Sequence, residues 1–254
     1  MAQPLISPSE VFTRTWHEVK TYLSSDSKES IGFVLLALGS FLLAILSFYI
    51  PESLRLALRI FDIVFLQIIG SSWISLRLAS QVLAERQGKK FKAPPLVLLG
   101  SFLLISILSG LATFGGGLLF VIPGIWLTIA FCFGTYVLID EGRKGRQALA
   151  RSAELVKGRW WATVARLVPA GLLVLILSMV VGSIIEGLIG LIAGYRPSSL
   201  VGQIGFFNWT VLGPASTQIA SGALQVINSL PLLISVPFLT HLMVTIYLEL
   251  KRTR

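Results

Sequence analysis

Apolar residues in this chain come in long blocks rather than in alternation. Residues 31–50, 56–83, 96–114, 125–139, 163–185 and 223–248 are each predominantly apolar, and about 20 such residues carry a helix across a bilayer. Shorter, more polar stretches separate the blocks. The pattern therefore predicts an all-α membrane bundle of six spans. The second span is the most polar, with Arg59, Asp62, Gln67 and Arg77. The apolar run from Leu96 to Ile139 is about twice one crossing in length. Pro123-Gly124, following Gly115-Gly116-Gly117, is expected to fold it into a tight hairpin. Pro51-Glu52-Ser53 predicts a turn, and Pro231 and Pro237 predict kinks in the sixth span.

Two segments carry a helical rather than a continuous apolar pattern. In the N-terminal tail (1–30), Phe12, Trp16, Val19 and Leu23 recur at helical spacing between Arg14, His17, Glu18 and Lys20. Ser9 is placed to cap that helix near Glu10. Residues 140–162 behave likewise, with Leu149, Ala153, Val156 and Trp160 forming the apolar line. Both segments read as interfacial helices lying on headgroups, the second closed by Trp160 and Trp161 as interface anchors. The two patterns match at a constant offset: Arg14-Thr15 and Val19-Lys20 against Arg151-Ser152 and Val156-Lys157. This predicts two parallel units, each an interfacial helix plus two spans, with spans three and four as a hairpin between them.

Composition agrees with the pattern. The chain is 54% hydrophobic and 13% charged, against roughly 25% charged in soluble domains. A single integral membrane domain is expected over 1–254. It comprises a cytoplasmic tail (1–30), spans one to four (31–139), an interfacial helix (140–162), and spans five and six (163–254) around an outer loop (194–217). The tail has no early apolar core, so no cleavable signal is expected.

The net charge of +9 is explained by placement. With the N-terminus cytoplasmic, 18 of the 21 Lys and Arg fall on the inner side, and only Arg55, Arg59 and Arg196 fall outside. This is the positive-inside bias. It predicts a multi-pass protein of the cytoplasmic membrane with both termini inside and anionic headgroups as partners. No nucleic acid is expected, and a protein partner fits the same basic face.

Chemistry-bearing residues are sparse. Cys132 is the only cysteine, so neither an intramolecular disulfide nor a multi-cysteine metal site is expected. The two histidines, His17 and His241, lie in different settings. No HExxH, paired catalytic carboxylates, nucleophile elbow or phosphate loop occurs, and no cofactor is expected. The intramembrane polar residues are Asp62, Arg77, Glu186 and His241, with Gln225 and Asn228 in the sixth span. Such residues either bond helix to helix or mark a transport path. Arg59 and Asp62, one helical turn apart, suggest a local ion pair.

Pro123-Gly124-Ile125, Glu141, Ala148-Leu149, Arg151-Ser152, Leu155-Val156-Lys157-Gly158 and Trp160 together resemble a motif of bacterial and archaeal six-span proteins. These are grouped with the membrane domain of glycerophosphoryl diester phosphodiesterases and related uncharacterised inner-membrane proteins. In those phosphodiesterases hydrolysis belongs to a separate soluble domain, so the resemblance implies the membrane part only. Glu141 is expected to cap the basic helix or pair with Arg143 or Lys144, and Glu154 to pair with Arg151 or Lys157. Arg151, Ser152 and Lys157 either anchor this architecture or hold a lipid phosphate. The leading expectation is a non-catalytic membrane protein organising lipids or partners at the inner face. The alternative is a small-solute or ion transporter or channel, and a membrane-embedded enzyme is the third reading.

Overall fold

Long apolar segments with no polar face satisfy their backbone groups in lipid by forming helices, and among the residues described below helix is what they form. The computed structural model describes residues 6–24, 28–47, 49–119, 121–193 and 232–253. Among these residues the regular structure is all helical. Four stretches are long and apolar enough to cross a membrane: Leu96–Leu118, Ile122–Glu141, Trp160–Val181 and Ile234–Arg252. Ile31–Leu43 is apolar but shorter. The expected outer loop, Gln225, Asn228 and Pro231 lie outside the described residues, as does the Glu186 side chain.

The chain divides into two compact units. One comprises residues 1–26, 75–171 and 238–254, and the other residues 27–74 and 172–237. In chain order the helices are α1 (Pro8–Ser24), α2 (Lys28–Leu46), α3 (Glu52–Phe61), a π-helical segment (Asp62–Gly70) and α4 (Ser71–Arg86). Then come α5 (Leu96–Leu119), α6 (Val121–Phe131), α7 (Gly134–Glu141), α8 (Gly145–Val156), α9 (Trp160–Ala193) and α10 (Leu232–Arg252).

In the first unit α5, α6, α7 and α8 pack on one another. The expected turn at Pro123-Gly124 is instead the first turn of α6, where proline is tolerated because its missing N–H has no helical partner. Gly115, Gly116 and Gly117 are likewise helical, near the end of α5. A Cβ on Gly124 would lie 2.9 Å from the Gly117 Cα and N, so these glycines let the two backbones touch. On the other side of α5, Leu96, Leu111, Phe114 and Leu118 are all more than 60% exposed. A patch of that kind needs lipid or protein to cover it.

Three further expectations are corrected. Ser7, not Ser9, caps α1: the Glu10 N–H donates to Ser7 Oγ at 3.2 Å. This puts Pro8 at the first helical position, where its fixed φ suits the helix. The buried face of α1 is Val11, Thr15, Val19 and Tyr22, whereas Trp16 is 49% exposed. Trp160 and Trp161 do not close the basic helix. They open α9 after a turn at Gly158, whose φ of 81° favours glycine.

The second unit holds α2 against the π segment. Glu52 and Ser53, expected in a turn, begin α3, and the helical backbone continues through Asp62 into the π segment. Gly70 seats the Leu36 side chain and Gly32 that of Ile74.

Candidate functional site

The polar side chains of the first unit gather where several helices end. Arg86, the last residue of α4, bonds to Glu18 of α1 and donates to Thr245 Oγ1 of α10 at 2.8 Å. Glu18 also pairs with Arg14 at 3.3 Å and stands 3.7 Å from His241 Nδ1. The Tyr22 ring meets the His241 ring edge-on at 5.7 Å. Burial pushes the Arg86 guanidinium below its ordinary pKa, and Glu18 opposes that shift. His241 is buried, and neither ring nitrogen has a hydrogen-bond partner among the described residues.

A second cluster is centred on Asp140 at the end of α7. Its carboxylate accepts from Gln87 at 2.8 Å, Tyr247 at 2.8 Å and Lys251 at 2.6 Å. Arg159 bonds to the Thr253 carbonyl at 3.0 Å. Arg166 donates to the carbonyls of Ile6 at 3.1 Å and Ala162 at 2.6 Å. These bonds tie the end of α4, the end of α7, the start of α9, the C-terminal end of α10 and the N-terminal helix together. Within this unit the loop after α4, the basic α8 segment and the C-terminal residues therefore share one end.

The α8 segment is built into the protein rather than laid on a surface. Ala148, Leu149, Ser152, Leu155 and Val156 are buried, and α5, α6 and α7 supply the cover. This corrects the expectation that its apolar face rests in headgroups. The Ser152 hydroxyl donates to the Ala130 carbonyl at 2.7 Å and accepts from the Phe133 N–H at 3.1 Å. Those two backbone groups flank the break between α6 and α7, where the ordinary helical bonds lapse. Ser152 is thus committed to the backbone and does not face a headgroup. We expect Ser152→Ala to cost about 1–3 kcal/mol, read as a lower thermal midpoint in detergent. An unchanged midpoint would show that the break needs no such bridge.

Glu141 pairs with Arg143 at 3.1 Å and with Arg151 at 3.3 Å, and Arg151 reaches Glu154 at 3.2 Å. Burial costs the Arg151 charge something, but Glu154 and Glu141 outweigh it and raise its pKa. Arg143, Lys144, Arg146 and Lys157 are exposed around this core, as are Lys89, Lys90 and Lys92. Trp160 stacks edge-on with Trp161 at 4.7 Å, and Trp161 is 77% exposed.

Of the intramembrane residues singled out from sequence, His241 joins the Glu18 cluster. Arg77 lies half-buried in α4. Asp62 belongs to the second unit, where it accepts from Ser40 Oγ at 2.6 Å, and Gln67 Nε2 donates to the same Ser40 oxygen at 2.7 Å. Glu18, Arg86, Asp140, Gln87, Tyr247 and Ser40 carry these networks without having stood out in the sequence. Among the described residues no group of His, Cys, Asp and Glu could hold a metal ion. No family model, curated protein or solved structure matches the chain.

Proposed function

We propose that this is a six-span protein of the cytoplasmic membrane that gathers anionic lipid headgroups at its inner face and performs no catalysis of its own. The observation that carries the reading is the shared end of the first unit. The bonds at Asp140, Arg86 and Arg159 collect the basic segments there. Around them Lys89, Lys90, Lys92, Lys144 and Arg146 point into solvent. Each such cation near an anionic surface contributes about 1 kcal/mol, and the adjacent Trp161 and Phe91 suit the headgroup level. The same clustering and the positive-inside bias both support a topology with the two termini inside. In this reading the fold positions the charges, and the lipid is the ligand.

The internal duplication gains support from burial. Val11, Thr15 and Val19 of α1 are buried, and so are Ala148, Ser152 and Val156 of α8, at the same offset of 137 residues. The likeness of residues 123–160 to the membrane-domain family described above agrees with this architecture.

The test is the charge-reversed full-length chain, Lys90→Glu, Lys144→Glu and Arg146→Glu together. Native mass spectra in mild detergent are expected to lose at least tenfold of the co-purified anionic lipid. Undiminished anionic lipid would remove the reading, and a lost protein subunit would point to a partner instead. A transporter is the second reading, favoured by the Ser40–Asp62–Gln67 trio in the second unit. Solute uptake by reconstituted vesicles would support it.

A further inference from the structure

The π winding of residues 62–70 gives the second unit its own polar site. Asp62 and Gln67 are five residues apart. In an α-helix that spacing sets two side chains about 140° apart around the axis, so they could not share one partner on a neighbouring helix. With hydrogen bonds running i to i+5, positions five apart come onto one face. Both side chains then reach the same residue of α2: Ser40 donates to Asp62 at 2.6 Å and accepts from Gln67 at 2.7 Å. Ser40 is only 4% exposed. Short winding irregularities of this kind are frequent at functional sites.

The surroundings are apolar. Ile60, Phe61, Ile63, Val64, Phe65 and Ile68 turn outward along the same run, each more than a third exposed. From α2, no ionisable side chain lies between Ile31 and Leu46. On the run that carries Asp62, the charges are Glu52, Arg55 and Arg59, and Glu186 is the only ionisable residue on the part of α9 in this unit. Both protonation states of the carboxyl therefore have support: the Ser40 hydrogen bond favours the anion, and the apolar surroundings favour the acid.

We propose that Ser40, Asp62 and Gln67 form a proton-binding site, with Asp62 taking up and releasing one proton within the membrane. A proton fits better than a metal ion. A hard cation needs several oxygen ligands at once. Here the Ser40 hydroxyl is already both donor and acceptor, which leaves the second carboxylate oxygen of Asp62 and the Gln67 amide oxygen, too few of the trio's oxygens for such a shell. Gln67 holds the Ser40 oxygen so that its proton points to the carboxylate, and so acts as a positioning residue. The site rests on the six-span reading, in which this run crosses the membrane.

The experiment is carbodiimide labelling of the full-length chain in lipid vesicles, with the adduct located by peptide mass spectrometry. A hydrophobic carbodiimide reacts with a protonated carboxyl in apolar surroundings: the acid proton passes to a carbodiimide nitrogen and the carboxylate oxygen adds to its central carbon. It is expected to modify Asp62, with a rate that falls as the pH is raised, and to leave Asp62→Asn unmodified. Ser40→Ala removes a donor to the anion and is expected to raise the labelling midpoint by about one pH unit, a tenfold change in acidity. Gln67→Ala is expected to move it in the same direction by less. An absent adduct or a pH-independent rate would overturn the proposal. Protection by sodium or potassium would assign the site to a metal ion instead. Equal labelling by a water-soluble carbodiimide would place Asp62 in water and overturn the span itself.

Discussion

Replacing Arg86 with alanine is expected to unseat the N-terminal helix. Arg86 is the charged partner that Glu18 has on another helix, and it also donates to Thr245. The Glu18 side chain is 24% exposed and that of Arg86 15%. Removing one member of a buried pair costs about 3–5 kcal/mol, because the other charge is left without compensation. Water reaching Glu18 reduces this to about 2–3 kcal/mol here. The exposed Arg14 is a poor substitute. Limited proteolysis should cut within residues 8–24 faster in Arg86→Ala, and the thermal midpoint in detergent should drop. The double variant Glu18→Gln, Arg86→Gln should recover part of the loss, since it leaves no orphan charge. Equal proteolysis of Arg86→Ala and the parent chain would show that α1 is held by its apolar face alone, through contacts such as Phe12 with Phe238 at 5.4 Å.

The second large effect is expected at Gly124. A Cβ there meets the Gly117 Cα and N at 2.9 Å and the Thr113 carbonyl at 3.3 Å, all backbone atoms of α5. Flexible side chains could give way, but a packed helix backbone cannot. Gly124→Leu should push α5 and α6 apart and break the 3.4 Å contact between Thr128 and Thr113. Overpacking of this kind costs about 1–3 kcal/mol, and more where backbone must move. Gly115 is the control: nothing lies within 4 Å of its Cβ position. Gly115→Ala should be neutral or gain about 0.5–1 kcal/mol from helix propensity. Similar thermal midpoints for the two variants would remove the close α5–α6 contact.

Some of this was legible in sequence, for identifiable reasons. The later apolar blocks were legible as four stretches long enough to cross a membrane, whereas the first yields only the shorter Ile31–Leu43 and the polar second is divided between α3, the π segment and α4. The Glu141–Arg143 and Arg151–Glu154 pairings followed from local spacing, whereas Glu141–Arg151, ten residues apart, did not. The face of α1 was misplaced by one position because the pattern favoured Phe12 and Trp16. The folded unit buries Thr15 and Tyr22 instead, and a hydroxyl on a buried face reads as polar in any periodicity. Pro123 and Gly124 read locally as a turn. The same two residues equally suit the first turn of a helix and a close backbone contact, and only the neighbouring α5 decides between them. The Glu18–Arg86–His241 cluster joins residues from three distant stretches, so no local pattern could announce it. The spacing of five between Asp62 and Gln67 was a signal available in the sequence, but it has meaning only once Ser40 is known to lie opposite.

To gather headgroups together, the basic segments must share one side of the membrane. With Cys132→Ala as background, single cysteines at Lys90→Cys, Arg146→Cys and Arg252→Cys can be probed with a membrane-impermeant maleimide in sealed vesicles of known orientation. All three are expected to label in inverted vesicles and to stay unlabelled in right-side-out vesicles. Labelling of Lys90→Cys and Arg146→Cys from opposite faces would contradict that arrangement.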